Sequence, residues 1–186
     1  MTLPPRLVVA TGNPGKVAEL AALLTGVGVI VDWRPSLPSP PEDTTSYAGN
    51  AVIKALAAAR ATGEPAIGDD SGVEVEALGG APGLDTRPWA EALGGWNAAR
   101  AALAQVAGSR ATFRCALAVG WPDGTVRTAD GAARGVIVPA TGDGVGLEPC
   151  FVVDGTDRPL AALAPEVRDR VHHRSVAFRA LLALRA

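Results

Sequence analysis

The chain has 186 residues, 48% of them apolar and 19% charged, a composition that can bury a sizeable core and excludes a disordered chain. Its net charge of −2 provides no global field to draw it onto DNA, RNA or an anionic membrane, so a polyanionic ligand must be held by a local cluster of donors. Apolar runs stay far short of the roughly 18–20 residues that span a bilayer, and the opening MTLPPRLVVATGN turns polar too soon for a signal peptide. In chain order, 7–10 reads as a short strand, TGNPG as a loop, and 16–24 as a helix that spaces Val17, Leu20, Ala21 and Leu24 along one face. Residues 28–33 predict a second strand, followed by the breaker-rich RPSLPSPPEDTTS. An alanine-rich helix is expected over 47–62, stopped by Gly63. A brief strand over 66–69 runs into DDSG, and 73–76 alternates as a further extended piece. Residues 79–88 read as loop and 95–106 as a helix. Strands over 111–120 and 125–130 flank Pro122-Asp123-Gly124, a hairpin signal. A strand over 135–139, the glycine-rich loop TGDGVGLEP, a short strand over 151–153 and a helix over 165–184 complete the chain. That last helix turns Val167, Val171, Phe178 and Leu181 towards a core. Helix–strand alternation with a central hairpin predicts a mixed α/β sheet.

Composition is skewed in kind. Alanine accounts for 36 residues, and 15 arginines stand against two lysines, Lys16 and Lys54. Cys115 and Cys150 have neither metal-ligand spacing nor a disulfide framework, which predicts two buried thiols in a reducing cytosol. In the loop Ala10-Thr11-Gly12-Asn13-Pro14-Gly15-Lys16, backbone N–H groups at a helix start favour an anion, glycine permits close approach, and Lys16 adds a mobile charge. A P-loop is excluded, because Ala10 and Val17 occupy the positions that need Gly and Ser or Thr. A plain strand-to-helix turn capped by Asn or Thr also accounts for the segment on its own. Asp69-Asp70-Ser71-Gly72 falls at an expected strand end, where neighbouring side chains point to opposite sides. One aspartate can hold Mg²⁺ and orient or deprotonate a water while the other braces the loop; a DDSG turn is the competing reading. Lys54 is either a solvated helix charge or a phosphate ligand in a chain that otherwise uses arginine. His172-His173-Arg174, with Arg168 before it, is either a basic helix face or a pair that reads a base. On one continuous helix the two histidines diverge by about 100° and cannot share an ion.

Taken in order, LVVATGNPGKVAEL (7–20), NAVIKALAAA (50–59), PAIGDDSGVEVEALGGAPG (65–83), GDGVGLEP (142–149) and LAPEVRDRVHHRSVAF (163–178) resemble the Ham1-like inosine triphosphate pyrophosphatase family across essentially the whole chain. The resemblance implies a single domain over 1–186, an elongated mixed β-sheet with flanking helices in two lobes around a nucleotide cleft. It implies Mg²⁺-dependent hydrolysis of ITP, dITP or XTP to the monophosphate and pyrophosphate, by a cytoplasmic homodimer. By position, Thr11, Gly12, Asn13, Lys16 and Lys54 would hold the triphosphate. Asp70 would be the catalytic and metal residue, with Asp69 a second metal candidate. Ser71, Gly146, Glu148, Arg168, His173 and Arg174 would meet base and sugar.

The chain also departs from that family. Gly49 stands where the family commonly has a metal-binding Glu, and Glu42 or Asp43 is a candidate replacement. Val145-Gly146-Leu147-Glu148-Pro149 replaces Phe-Gly-Tyr-Asp-Pro, which removes an aromatic that stacks on the base, an interaction of about 1–3 kcal/mol. Arg168 stands for a Lys and His172 for a Ser. These changes define the alternatives, a nucleotide binder with lost catalysis or a relative recruited to a different specialised nucleotide.

Overall fold

The computed structural model describes residues 3–37, 40–42 and 45–184. The chain falls into two compact units, one of Met1–Asp70, Cys115–Gly131 and Ala177–Ala186, the other of Ser71–Arg114 and Ala132–Val176.

The first unit begins with β1 (Arg6–Ala10), α1 (Pro14–Thr25), β2 (Ile30–Trp33) and α2 (Tyr47–Thr62). Strand β1 pairs in parallel with β2 and with β3 (Ala66–Val75), whose first half belongs to this unit. The final part of β5 (Arg110–Gly120), the start of β6 (Val126–Ile137) and most of α6 (His173–Ala183) complete it. Two helix starts follow from local chemistry. Asn13 caps α1, its side-chain oxygen accepting from the Gly15 and Lys16 amides, and Ser46 caps α2 by accepting from the Gly49 amide. Helix α2 ends where sequence places the stop, at Gly63 in the left-handed conformation (φ 71°).

Strand β1 is buried on both faces. Leu7 and Val9 join Leu20 and Leu24 of α1, Ile67, Leu117, and Phe178 and Leu181 of α6. Val8 meets Ala58, Ala59 and Ala66. Ala51 and Ala55 of α2 pack on Ala116 and Ala118 of β5. The alanine bias therefore has a structural use in this unit, since small side chains let a helix approach a sheet closely. The approach is closest at Gly68, where an added Cβ would overlap the Ala51 carbonyl oxygen and lie 2.8 Å from the Ala55 nitrogen.

The second unit holds the later half of β3, β4 (Pro82–Gly83), α3 (Thr86–Ala92), α4 (Trp96–Ala104), the first part of β5, the end of β6, β7 (Phe151–Val153) and α5 (Pro165–Val171). Its core gathers Val73, Val75, Leu103, Phe113, Ile137, Leu147, Phe151 and Leu160. The seven strands order as β2-β1-β3-β5-β6-β7 with β4 beside β3. Parallel pairs at β1 and antiparallel pairs at β3–β4 and β6–β7 make the sheet mixed, as expected.

Four elements differ from the sequence reading. DDSG is not at a strand end but in the middle of the ten-residue β3, because both carboxylates find buried partners there. The strand expected over 135–139 is the far end of β6, extended because Gly135, Val136 and Ile137 pair with β7. The stretch read as loop at 79–88 contains β4 and the start of α3, which accommodates Pro88 in a first turn where no intrahelical N–H is required. The single helix expected over 165–184 is broken: His172 is extended (φ −66°, ψ 131°) between α5 and α6. Its Nδ1 accepts the Arg174 amide at 3.2 Å, so a side chain caps the new helix start. Val167 and Val171 are half-buried, while Phe178 and Leu181 are core residues.

Candidate active site

In the first unit the chain's two lysines converge on the paired aspartates of β3. Alternation along the strand turns the two carboxylates to different partners. Lys16, in the first turn of α1, reaches Asp69 Oδ1 at 2.5 Å. Asp69 is fully buried and its Oδ2 accepts from the Cys115 thiol at 3.3 Å. Burial pushes that thiol well above its usual range, reinforced by the Asp69 charge. Asp70, 6% exposed, is held from α2: Asn50 Nδ2 donates to Oδ2 at 3.2 Å and Lys54 Nζ to Oδ1 at 3.0 Å. Asn50 and Lys54 are four residues apart and so lie one above the other on the helix face that meets β3.

Lys54 Nζ also donates to the Asp69 carbonyl at 3.2 Å and pairs with Glu42 Oε2 at 2.8 Å. Burial alone pulls this ammonium down, but the Asp70 and Glu42 carboxylates outweigh it and hold the group above its ordinary 10.5. Lys54 is thus a buried cation among three oxygens, not a solvated helix charge. Asp43, the other candidate for the carboxylate absent at Gly49, lies outside the described residues.

The glycine loop supplies neutral donors. Thr11 Oγ1 accepts the Asn13 amide at 3.2 Å, and Asn13 Oδ1 accepts Gly15 N at 2.9 Å and Lys16 N at 3.4 Å. The cap uses the carbonyl end of Asn13, and the donors of this side chain are on its NH₂ end. An added Cβ at Gly12 would meet nothing within 4 Å.

The second unit holds the other group of expected residues. Glu148, 7% exposed, accepts from Arg168 Nη2 at 3.0 Å through both oxygens and lies 3.1 Å from His172 Nε2. Because His172 Nδ1 accepts a backbone amide, the ring carries its proton on Nε2 and donates it to Glu148. Burial alone raises the Glu148 carboxyl; the His172 hydrogen bond and the Arg168 charge outweigh it, leaving the group below its ordinary 4.5. Arg168, Glu148 and His172, all departures from the resembled family, therefore form one network.

His173 packs between Phe113 (centroids 5.4 Å apart) and His172 (4.2 Å). Arg174 is 4% exposed and its Nη2 lies 3.4 Å from Ser71 Oγ; burial lowers its guanidinium to about 10. Gly146 (φ 53°) lies in a loop pinned by Arg100, whose guanidinium donates to the Gly144 and Gly146 carbonyls at 2.6 and 2.8 Å.

Sequence reasoning did not place Asn50, Cys115 or Arg100 at the site, although Cys115 and Cys150 are the buried thiols it expected. The spacing of Asn50 to Lys54 is a usable signal. Cys115 reads as an ordinary core residue of an apolar strand, and nothing local ties Arg100 to a loop 44 residues away.

A mixed α/β sheet whose third strand carries two buried aspartates, each paired with a lysine, beside a glycine loop that opens a helix, has the charges and donors to handle a polyphosphate. The chain belongs to the Ham1 family, whose model matches residues 7–184. A dITP/XTP pyrophosphatase of Rhodospirillum centenum is 43% identical over 202 residues, with 98% of each chain covered. One of Streptomyces coelicolor is 40% identical over 190 residues, with 95% of each covered. Among solved structures, the Staphylococcus aureus Ham1 protein is similar with a TM-score of 0.78, 30% identity and 96% of each chain covered. A nucleoside-triphosphatase/dITP/XTP pyrophosphatase of Mycobacterium abscessus has a TM-score of 0.72 at 35% identity, covering 96% of this chain and 98% of its own.

Proposed function

We propose that this chain is a nucleoside triphosphate pyrophosphatase that hydrolyses deaminated purine nucleotides (dITP, ITP and XTP) to the monophosphate and pyrophosphate with Mg²⁺. The observation that carries the reading is the pairing of Lys16 and Lys54 with the adjacent aspartates of β3, in a chain whose relatives are named dITP/XTP pyrophosphatases. The reading takes residues 1–186 as one catalytic domain, acting in the cytoplasm as a homodimer. Light scattering on the purified chain tests the dimer. Among the described residues no helix is long and apolar enough to cross a membrane.

The residues fit a divalent cation. Asp70 offers hard oxygens, each with two lone pairs, and Asn50 and Lys54 engage one on each. Asp69 is less suited, since Lys16 and Cys115 already engage both of its oxygens. Asp70, with Glu42 at its edge, would hold the ion, which when bound supplies Lewis-acid charge at the phosphate oxygens and a more acidic water.

The chain's own groups then divide the work. Thr11, the Gly12 backbone, Asn13 and Lys16 bind the triphosphate, and Lys54 adds charge from α2. Asp70 accepts the proton of the attacking water as a new P–O bond forms at the α–β linkage and the bridging P–O bond breaks. General-base action of this kind contributes about 10²–10⁴-fold. Lys16 and Lys54 stabilise the charge that develops on the phosphate oxygens. Ser71, Gly146, Glu148, Arg168, His173 and Arg174 serve base and sugar. Burial of Arg174, with its guanidinium on Ser71, suits it to donate to the 6-oxo edge that deamination creates.

The relatives lend no support to a catalytically silent binder. The deciding experiment is pyrophosphate release from dITP, ITP, XTP, dGTP and ATP, with and without Mg²⁺. Preferential Mg²⁺-dependent turnover of the deaminated substrates, abolished in Asp70→Asn, is expected. No turnover of any triphosphate refutes the proposal.

A further inference from the structure

We infer that Arg100 is a positioning residue for nucleobase recognition, a tether from α4 that fixes the backbone of residues 144–146. The inference rests on the reading above that gives Gly146 and Glu148 to base and sugar, and it concerns a residue outside the motif stretches.

The connection that leads from β6 to Glu148, residues 138–147, contains neither helix nor strand, and Gly142, Gly144 and Gly146 lie within it. Such a segment keeps one conformation only where groups from elsewhere hold it. Arg100 does so through two charge-assisted bonds: Nη2 donates to the Gly144 carbonyl at 2.6 Å and Nε to the Gly146 carbonyl at 2.8 Å. The helix that carries it is itself anchored, since Ala99 and Leu103 are fully buried in the core of the second unit. Trp96, one turn before Arg100 on α4, adds packing: a Cβ placed on Gly146 would stand 3.9 and 4.0 Å from its ring atoms. Gly144 is enclosed as well, because a Cβ there would lie 2.7 Å from Ala161 Cβ and 2.9 Å from Pro149 Cγ.

The direction of the two bonds gives them their consequence. In a planar trans peptide the carbonyl and the N–H of the next residue point opposite ways. With the Gly144 and Gly146 carbonyls turned to the guanidinium, the Val145 and Leu147 amides are turned away from it, and no described residue accepts from either. Neutral donors of fixed direction suit the oxygen acceptors of a deaminated base. Glu148 follows at once: its amide closes a turn onto the Val145 carbonyl at 3.1 Å. The Arg168–Glu148–His172 network therefore starts from backbone that Arg100 holds. Among the described residues no carboxylate pairs with Arg100, so its donors serve this loop. A lysine could not replace it, since an ammonium lacks the planar fork that spans two carbonyls at once.

The test titrates the full chain by calorimetry, in Mg²⁺, with dIMP and separately with inorganic pyrophosphate, the two products of dITP hydrolysis. Arg100→Met should weaken dIMP binding about tenfold, the scale of a lost charge-assisted hydrogen bond, and leave pyrophosphate binding within about twofold. For dITP, KM should rise about tenfold while kcat changes far less, a split that a general loss of structure would not give. Arg100→Lys, which keeps the charge and one point of attachment, should recover part of the loss. Arg110→Met, which removes an exposed arginine of the same unit that pairs with Asp154, should leave both affinities unchanged. Melting temperatures of all variants establish that the chains are folded. Wild-type dIMP affinity in Arg100→Met, or dIMP and pyrophosphate weakened alike, overturns the inference. Undetectable dIMP binding by the wild-type chain overturns it too. If dIMP binding depends on Arg100 but no triphosphate is hydrolysed, the tether stands and the pyrophosphatase reading falls. Mg²⁺-dependent turnover of dITP with Arg100-independent dIMP binding gives the reverse.

Discussion

Replacing Gly68 with alanine probes the link between the fold and the candidate chemistry, because this residue lies one position before Asp69 and against the backbone of α2. The new Cβ would overlap the Ala51 carbonyl oxygen, lie 2.8 Å from the Ala55 nitrogen and 3.2 Å from the Ala51 carbonyl carbon. Real Cβ atoms essentially never approach within 3.0 Å, so helix or strand must shift. The obstructing atoms are helix backbone, not a flexible side-chain tip, and the helix is also fixed to the sheet where its Ala58 and Ala59 pack with Val8 and Ala66. Overpacking typically costs about 1–3 kcal/mol, and a backbone clash places Gly68→Ala at about 3 kcal/mol. At about 2–4 °C per kcal/mol for a chain of this size, the melting temperature should fall by roughly 6–12 °C. The same shift carries Asn50 and Lys54 away from Asp70, and a misplacement of about 1 Å can cost on the order of 100-fold in rate. Urea unfolding measures the stability, and pyrophosphate release from dITP at saturating Mg²⁺ measures kcat. A variant within about 0.5 kcal/mol of wild type, the range of an ordinary surface change, would refute the packing argument. Lost stability with unchanged kcat would refute the coupling to Asp70.

Gly12→Ala should do the opposite. Its Cβ meets no protein atom within 4 Å, so unfolding should be unchanged while KM for the triphosphate rises where the loop must approach phosphate. Lys16→Met removes the ammonium paired with the fully buried Asp69 and should destabilise by about 3 kcal/mol, the range for breaking a buried pair. In a double-mutant cycle with Asp69→Asn, urea unfolding should show that the second change recovers part of that loss; strict additivity would refute a direct pair. Glu148 has its carboxyl held below the ordinary 4.5 in the folded chain, so its contribution to stability is present above that value and is lost as pH falls through the depressed folded value. The stability gap between wild type and Glu148→Gln, followed by urea unfolding from pH 7 to pH 3, should be widest near neutrality and shrink in acid. A gap independent of pH refutes this assignment.

Much of the local structure could be read without coordinates. The strand–loop–helix at 7–24, α2 with both of its ends and the hairpin after β5 all follow from periodicity and turn residues, which act over a few positions. The motif stretches, not the periodicity, carried the family resemblance, and with it the residues proposed for phosphate. Tertiary pairing decided the rest. DDSG has the composition of a turn, yet it runs as strand because Lys16, Asn50, Lys54 and Cys115, up to 53 residues away, satisfy two buried carboxylates. The last helix breaks at His172 because its ring serves Glu148, 24 residues earlier, and caps its own successor helix. Glu42 meets Lys54 only in the folded chain, since a connecting segment has no periodicity from which its direction could be inferred. Local propensity thus sets which elements form, while the satisfaction of buried charge, a demand met across long chain separations, sets which of them continue, which break and which residues meet.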